Sequence, residues 1–251
     1  MGTTQTALAG TMATPPARVL LVIGQPVLAE VVKLALNHGL FHAEVTATAP
    51  QALAALAQRP PHLAIVDMDL AQGHMLDQLV GAARIPTVAL TRRGNLKTTL
   101  AAFDRGVDDI LTVPFSPEEL VARVLALMRR SYGGEVAFTP TIRLGELEID
   151  ILNRHVRAGG SELHLTGLEQ HLLYLLAANA GQVLSRDEIL DALWGVDFVA
   201  DSNVVDRHIR NLRIKLQDGW RRPRYIATVP GRGYRFVSTT VDDGGVPTPA
   251  P

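Results

Sequence analysis

The first half of the chain alternates short apolar runs with longer stretches of helical spacing. Three continuous apolar runs have the length of strands: 19–23, 63–66 and 87–90. Such runs are typical of strands that are buried on both faces. Four stretches have helical spacing: 27–37, 51–58, 96–105 and 117–130. The alternation predicts an α/β doubly wound domain, with helices on both faces of a parallel sheet and any site at the carboxyl ends of the strands.

The second half has a different pattern, in which short strands precede helices. Four strand candidates are joined by turn residues: 142–144, 147–151, 155–158 and 162–165. Capping boxes at Thr166 and Ser185 then each open an apolar helical stretch. A third helix and the two strands of a hairpin follow, at 203–217, 225–229 and 234–237. Three helices followed by a hairpin predict an α+β winged helix-turn-helix domain.

Loop-forming residues separate the two halves. Gly133, Gly134 and Pro140 interrupt the pattern, and both ends of the chain lack periodicity. The predicted organisation is a disordered tail, the α/β domain, a linker, the winged-helix domain and a second disordered tail, at 1–17, 18–130, 131–141, 142–238 and 239–251. Two domains agree with a length of 251 residues, at roughly 100 to 200 residues per domain.

Composition excludes several classes of protein. Hydrophobic residues make up 47% and charged residues 20%, which excludes wholesale disorder. Cysteine is absent, which excludes disulfides and thiolate metal sites. No apolar run approaches the ~18 residues of a membrane span and no secretory signal pattern is present, so we expect a cytoplasmic protein without a membrane partner. No nucleophile–base pair or glycine-rich phosphate loop indicates an enzyme, and we expect no cofactor.

Charge is distributed unevenly, although the formal net charge of the whole chain is only −1. Residues 146–201 carry ten acidic and three basic side chains, a net charge of −7. Residues 202–240 carry nine basic and two acidic side chains, a net charge of +7. A polarised surface of this kind suits a polyanion such as double-stranded DNA.

The third predicted helix separates an apolar stripe from a polar face. At 100° per residue, four apolar side chains fall within a sector of about 60°: Val205, Ile209, Leu212 and Leu216. The other side carries arginines, which can engage guanine, and amide and carboxylate groups, which can read adenine and cytosine edges. A solvated cationic face is the ordinary interpretation of such a helix in isolation. The preceding helix and the arginine-containing hairpin that follows favour DNA binding instead.

These residues carry a resemblance to a known family. The stretches 202–216, SNVVDRHIRNLRIKL, and 228–236, TVPGRGYRF, closely resemble the DNA-binding domain of the OmpR/PhoB response regulators, and the resemblance covers about 142–238. It implies that the third helix enters the major groove of DNA. It also implies that the hairpin, with Arg232 at its tip, reaches the adjacent minor groove.

The resemblance implies roles for individual side chains. Four match positions that face bases or the nearby backbone: Asp206, Arg207, Arg210 and Asn211. Four match positions that contact phosphates: Asn203, His208, Arg213 and Tyr234. For His208 and Tyr234, a place in the core or a structural hydrogen bond fits the sequence equally well. The connection at 194–201 resembles the loop of the family that can touch RNA polymerase.

The first half resembles the receiver domain of the same family, a flavodoxin/CheY-like fold, with an altered active site. In a working receiver, an acidic pair holds Mg²⁺, an aspartate accepts phosphate, and a hydroxyl and a lysine complete the site. Asp67 matches the phosphate acceptor and Thr91 the hydroxyl. The acidic pair and the lysine are replaced, by Ile23, Gly24 and Val113. Without the acidic pair, we expect no magnesium site and a vestigial Asp67.

A sequence-specific DNA-binding transcription regulator that works as a phosphorylation-independent bacterial homodimer is the favoured hypothesis. The stretch that resembles the dimer face of the family keeps its charges: Asp108, Asp109, Glu119, Arg123 and Arg130. A second hypothesis is a ligand-sensing regulator, whose receiver-like domain binds a small molecule at the unusually apolar strand ends. A third is a conventional regulator switched by phosphorylation of Asp67, which the missing acids and lysine disfavour.

Overall fold

The apolar runs of the first half form a parallel sheet covered by helices. The structure, a computed structural model, describes residues 16–37, 41–70, 74–82, 84–92, 96–133, 141–195, 198 and 203–237. Apart from residues 16 and 17, the two predicted tails lie outside the described residues, as does most of the predicted linker.

Within the described residues, the N-terminal domain alternates five strands with five α-helices. In chain order they are β1 (Ala17–Val22), α1 (Pro26–Leu36), β2 (Phe41–Thr46), α2 (Ala49–Gln58), β3 (Leu63–Asp67), α3 (His74–Asp77), β4 (Thr87–Thr91), α4 (Leu96–Asp104), β5 (Asp109–Thr112) and α5 (Pro117–Tyr132). One π-helical turn, Gln78–Ala82, follows α3. All strands are parallel, in the order β2-β1-β3-β4-β5. The predicted doubly wound fold is confirmed.

Successive residues of β1 point to opposite faces of the sheet and so contribute to two apolar cores. Val19 and Leu21 pack in the core that includes α1 and α5, whereas Leu20 and Val22 pack in the core that includes α2 and α4. The edge strands β2 and β5 were missed by the sequence pattern because polar residues interrupt both. An edge strand meets the core on fewer sides and needs no continuous apolar run.

Helix α5 begins where the sequence predicts but ends later. The Ser116 hydroxyl caps it by accepting from the backbone N–H of Glu119 at 3.2 Å. The helix continues to Tyr132, two residues past its predicted end at Arg130. The Tyr132 hydroxyl donates to the carbonyl oxygen of His62 at 2.8 Å, which holds the last turn on the domain.

As far as the structure describes it, the C-terminal domain consists of an antiparallel sheet, three helices and a hairpin. In chain order its elements are β6 (Thr141–Leu144), β7 (Leu147–Asp150), β8 (His155–Ala158), β9 (Ser161–Leu163), α6 (Gly167–Ala178), β10 (Val183–Leu184), α7 (Arg186–Trp194), α8 (Val204–Lys215), β11 (Ile226–Val229) and β12 (Gly233–Phe236). Strands β6 to β9 form one sheet in chain order, and β10 joins the hairpin in the order β10-β12-β11. The predicted winged helix-turn-helix is confirmed, while the two-residue strand β10 was not anticipated.

The two domains pack against each other through α1 and the start of α5 on one side and α6 and α7 on the other. Glu118 of α5 crosses this boundary: its Oε1 lies 3.3 Å from Nε of Arg154 and 3.8 Å from Nε2 of His171. Burial opposes ionisation of Glu118, but His171 and Arg154 outweigh it and lower the pKa of this carboxyl. The domain boundary therefore holds a negative charge between two basic side chains.

Strand β12 passes so close to β10 that its first residue must be glycine. A Cβ at Gly233 would lie 2.0 Å from the carbonyl oxygen of Leu184, and φ at this residue is +144°. Both features exclude a larger side chain. Gly231, in the turn of the same hairpin, has a φ of +70° but no atom within 4 Å of a built Cβ.

We expect Gly233→Ala to destabilise the winged-helix domain by about 3 kcal/mol or more, because β10 and β12 must move apart. Gly231→Ala is the matched control and should cost only about 1 kcal/mol, since it meets a conformational penalty without a clash. Urea unfolding monitored by tryptophan fluorescence measures both values. Similar losses for the two variants would contradict the close approach of the strands.

Candidate nucleic-acid interface and receiver pocket

Helix α8 holds its apolar stripe in the domain core and leaves its polar face in solvent. Val205, Ile209, Leu212 and Leu216 are all buried, as the sequence predicts. Full burial of such a side chain contributes roughly 1.5–3 kcal/mol, so this stripe attaches the helix to the domain. The opposite side presents four exposed side chains that can hydrogen-bond: Asn203, Arg207, Arg210 and Asn211.

Asp206 has a different environment from its neighbours on the polar face. Its Oδ1 lies 2.7 Å from Nε of Arg186 on α7 and accepts a 2.8 Å hydrogen bond from the Tyr234 hydroxyl on β12. Partial burial opposes ionisation of Asp206, but the hydrogen bonds from Arg186 and Tyr234 prevail and lower its pKa. The role predicted for Asp206 was to read bases, whereas the structure places its carboxylate in a network within the domain.

Tyr234, predicted as a phosphate contact, is buried, and its ring lies beneath two arginines. The guanidinium carbons of Arg186 and Arg213 are 5.1 and 5.7 Å from the ring centroid. Arg213, also predicted to contact phosphate, donates from Nη2 to the carbonyl oxygen of Ile226 at 2.7 Å and to Oγ1 of Thr228 at 2.9 Å. Both side chains therefore fix the hairpin to α8, which for Tyr234 agrees with the structural alternative that the sequence left open. The phosphate contacts of both residues stay predictions.

His208 is half-buried, and its ring lies 5.4 Å from that of Trp194. Burial and then the neighbouring Arg207 lower the pKa of His208, which favours the neutral imidazole. This arrangement agrees with the structural alternative that the sequence left open. Trp194 also stacks on Phe198 at 5.8 Å, and the remaining residues of the 194–201 connection beyond Gly195 lie outside the described part of the chain.

The hairpin presents Arg232 at its exposed tip, as predicted. The backbone N–H of Arg232 donates to the carbonyl oxygen of Val229 at 3.0 Å and closes the turn.

Lys215 holds the C-terminal end of α8 on the domain. Its Nζ lies 2.6 Å from Oε2 of Glu169 on α6 and 2.9 Å from the carbonyl oxygen of His164. Sequence reasoning identified Glu169 only as a capping residue.

In the receiver-like domain, Asp67 lies buried at the end of β3 and is partly neutralised. Its Oδ1 accepts from the backbone N–H of Asp69 at 3.0 Å, and its Oδ2 lies 3.5 Å from Nη2 of Arg92. Thr91 is buried at the end of the adjacent strand β4. The sequence did not predict Arg92 as part of this pocket. Its position directly after Thr91 is the signal that could have identified it.

The place of the acidic pair is apolar. Ile23 is buried in the core, and a Cβ at Gly24 would lie 3.1 Å from Cδ1 of Leu70, so that Leu70 covers this position. Val113 is half-buried and packs against the core. No cluster of three or more potential metal ligands occurs among the residues that the structure describes.

The charges expected on a dimer face pair largely within the protomer. Arg123 Nη1 lies 3.1 Å from Oδ2 of Asp109, and Arg123 Nη2 lies 2.8 Å from Oε1 of Glu119. Asp108 accepts from the backbone N–H of Thr87 at 2.7 Å, while Arg130 is exposed on α5.

Comparison with known proteins supports the identification of both domains. Residues 19–125 match the family model described as response regulator receiver domain, and residues 160–236 match transcriptional regulatory protein, C terminal. The transcriptional regulatory protein TrcR of Mycobacterium tuberculosis is 37% identical over 223 residues, which cover 87% of this chain and 86% of that protein. The DNA-binding response regulator MtrA of Mycolicibacterium smegmatis is 34% identical, with coverage of 87% and 96%.

Solved structures include similar chains. The DNA-binding domain of Klebsiella pneumoniae RstA, in complex with the RstA box, is 40% identical and covers 39% of this chain and 96% of its own, with a TM-score of 0.37. The response regulator DrrB of Thermotoga maritima, an OmpR/PhoB homologue, is 28% identical with coverage of 89% and 100% and a TM-score of 0.40.

A receiver domain followed by a winged helix defines the class of DNA-binding response regulators. The chain belongs to the OmpR/PhoB family of these transcription regulators. Among the described residues, every helix is too short or too polar to span a bilayer.

We expect the contact between Glu169 and Lys215 to make stability depend on pH. Burial opposes ionisation of Glu169, but hydrogen bonds from Lys215 and Thr166 lower its pKa below the ordinary value of 4.5. A carboxyl whose pKa is depressed in the folded state adds to the free energy of unfolding. This contribution is complete above the pKa of the unfolded state and is lost as the pH falls through the pKa of the folded state.

Glu169→Gln should therefore be less stable than wild type at neutral pH and lose less stability on acidification below about pH 4.5. Glu188→Gln, at the same position of the exposed capping box of α7, is the control and should keep most of the wild-type pH dependence. Urea unfolding between pH 3 and pH 7, about the range over which carboxyls titrate, measures the effect. An unchanged pH profile in Glu169→Gln would exclude this contribution.

Proposed function

We propose that this protein is a sequence-specific DNA-binding transcription regulator that works as a homodimer without phosphorylation. One observation carries the proposal: α8 presents a polar face rich in Arg and Asn beside a hairpin with an exposed arginine at its tip. The TrcR and MtrA relatives, named as a transcriptional regulatory protein and a DNA-binding response regulator, support the same function. The proposal includes no enzymatic activity and no cofactor.

Arg207, Arg210 and Asn211 are the side chains that we propose to read bases. All three are exposed on α8, and guanidinium and amide groups can make paired hydrogen bonds to guanine and adenine. Asn203 lies at the start of α8, where it can contact a phosphate. Arg232 at the hairpin tip can enter the minor groove, where readout favours A·T pairs.

Independence from phosphorylation is proposed from the chemistry of the receiver pocket. An aspartyl phosphate adds negative charge that a bound metal and a lysine must offset. Here Leu70 covers Gly24, Val113 stands in the place of the lysine, and the nearest cation to Asp67 in the described pocket is Arg92. One guanidinium that also pairs with Asp69 is a weak substitute for Mg²⁺ and lysine together.

Dimerisation is proposed through the face formed by α4, β5 and α5. The ion pairs of Arg123 are satisfied within the protomer, so apolar contacts must supply most of the affinity between protomers. Leu100 and Phe103 of α4 are exposed and lie three residues apart, which places them on one side of the helix. Contact of the 194–201 connection with RNA polymerase stays a prediction from the resemblance.

We expect Arg207→Ala and Asn211→Ala each to weaken binding to the specific operator by about 1 to 3 kcal/mol and to relax base preference. Arg157→Ala, on strand β8, removes one positive charge far along the chain from α8 and should change affinity little. Genome-wide footprinting supplies the operator, and fluorescence anisotropy compares it with random DNA. Equal losses on both DNAs for Arg207→Ala would show that this face does not read bases.

We expect the wild type and Asp67→Ala to dimerise and bind DNA alike, with or without acetyl phosphate and magnesium. Arg123→Glu should reduce dimerisation, since it opposes Asp109 and Glu119 with a like charge. Analytical ultracentrifugation and DNA binding measure both. A wild type that is monomeric until treated would instead support the conventional switch through Asp67. Loss of dimer in Asp67→Ala but not in Arg123→Glu would do the same.

A further inference from the structure

One large apolar side chain lies on the polar face of α8. Ile214 is 64% exposed, although the apolar stripe of the same helix is buried. A single exposed apolar residue is common on protein surfaces and needs no explanation by itself. Ile214 is different because of its position, on the same face as the three exposed side chains that we propose to read bases, Arg207, Arg210 and Asn211.

The neighbours of Ile214 along the chain fix the direction in which its side chain points. Successive residues of an α-helix are rotated by about 100°. Arg213 points toward the hairpin, since its Nη2 donates to the carbonyl oxygen of Ile226 at 2.7 Å. Lys215 points toward the other side of the helix, since its Nζ lies 2.6 Å from Oε2 of Glu169 on α6. Ile214 therefore points outward between the two, into solvent.

The helical repeat also aligns Ile214 with Arg207. Nearly two full turns separate the two residues, so they differ by only about 20° around the helix and by about 10 Å along it. Base pairs of DNA follow one another at about 3.4 Å along the duplex. In a major groove that holds this face, Ile214 therefore lies within about three base pairs of the base that Arg207 contacts.

We propose that Ile214 recognises the C5-methyl group of a thymine in the major groove. This inference rests on the proposed function, since it names one base within the operator. The base edges in the major groove present hydrogen-bond donors and acceptors, and the thymine methyl is the apolar group among them. An isoleucine side chain can neither donate nor accept a hydrogen bond. Against a donor or acceptor it would displace water and leave that group without a partner, whereas the methyl group loses nothing by the contact.

This contact supplies a kind of discrimination that the polar side chains of α8 lack. Guanidinium and amide groups read guanine and adenine through hydrogen bonds, whereas a methyl contact separates thymine from cytosine, which carries only a hydrogen at C5. An apolar contact also releases no counterions from the DNA. Its loss should therefore change the affinity for one sequence and leave the salt dependence of binding as it is.

Uracil tests the contact directly, because it pairs as thymine does but lacks the C5-methyl group. Thymines of the footprinted operator are replaced by uracil one position at a time, in both half-sites together, and fluorescence anisotropy measures the affinity of the full chain. We expect replacement of one thymine near the Arg207 contact to weaken wild-type binding by about 4-fold per half-site, the effect of one buried methyl-sized group. Ile214→Ala should bind the thymine operator about as weakly as wild type binds the uracil operator, and uracil should weaken it no further.

Two further variants serve as controls. Ile214→Val keeps a branched apolar side chain and should keep most of the uracil effect. Val45→Ala shortens an exposed apolar side chain on β2, in the other domain, and should keep all of it. Ile214→Ala itself should melt no lower than wild type, because the side chain is exposed and alanine has the higher helix propensity.

The result separates this inference from the proposed function. A uracil effect of equal size in Ile214→Ala and wild type would overturn the inference alone. So would the absence of a uracil effect at every thymine within about three base pairs of the Arg207 contact, if wild type still prefers the operator to random DNA. Equal affinity of wild type for the operator and for random DNA would refute the proposed function, and the inference with it.

Discussion

The relative position of α8 and the hairpin, the proposed DNA-reading surface, depends on the carboxylate of Asp206. A helix and a hairpin can enter adjacent grooves only if their relative position is fixed, and Asp206 of α8 binds both Arg186 of α7 and Tyr234 of β12. The Asp206 side chain is 43% exposed, so its ion pair contributes only about 0–1 kcal/mol to stability. Its importance lies in orientation, because it joins three elements at one point.

The receiver domain keeps the receiver fold but has different side chains around its pocket. Its sheet keeps the position of Asp67 at the strand ends, yet Leu70, Ile23 and Val113 have made the surroundings apolar. Hard cations need several oxygen ligands, and the acidic pair that would join Asp67 is replaced by Ile23 and Gly24. What remains is a pocket in which Asp67 pairs with Arg92. At the domain boundary, Glu118 lies between Arg154 and His171.

The sequence predicted the architecture well because burial leaves a strong periodic signal. The strands with continuous apolar runs, the capped helices and the stripe from Val205 to Leu216 were all found where the structure has them. Strands β2 and β5 were missed because an edge strand mixes polar and apolar residues. The partners of Asp206, Arg213 and Tyr234 within the domain were not predicted, because a polar side chain on a helix or hairpin does not reveal its partner. Arg186 lies 20 residues from Asp206 along the chain, and only the fold brings them together.

The contact between Leu70 and Gly24 has a consequence for what position 24 can accept. A carboxylate restored at position 24 would meet the Leu70 side chain, because even a Cβ there lies 3.1 Å from Cδ1. A carboxylate at position 24 therefore requires the Leu70 side chain to give way by a few tenths of an ångström. Whether this edge of the sheet could accept an acidic pair depends on the freedom of one leucine side chain.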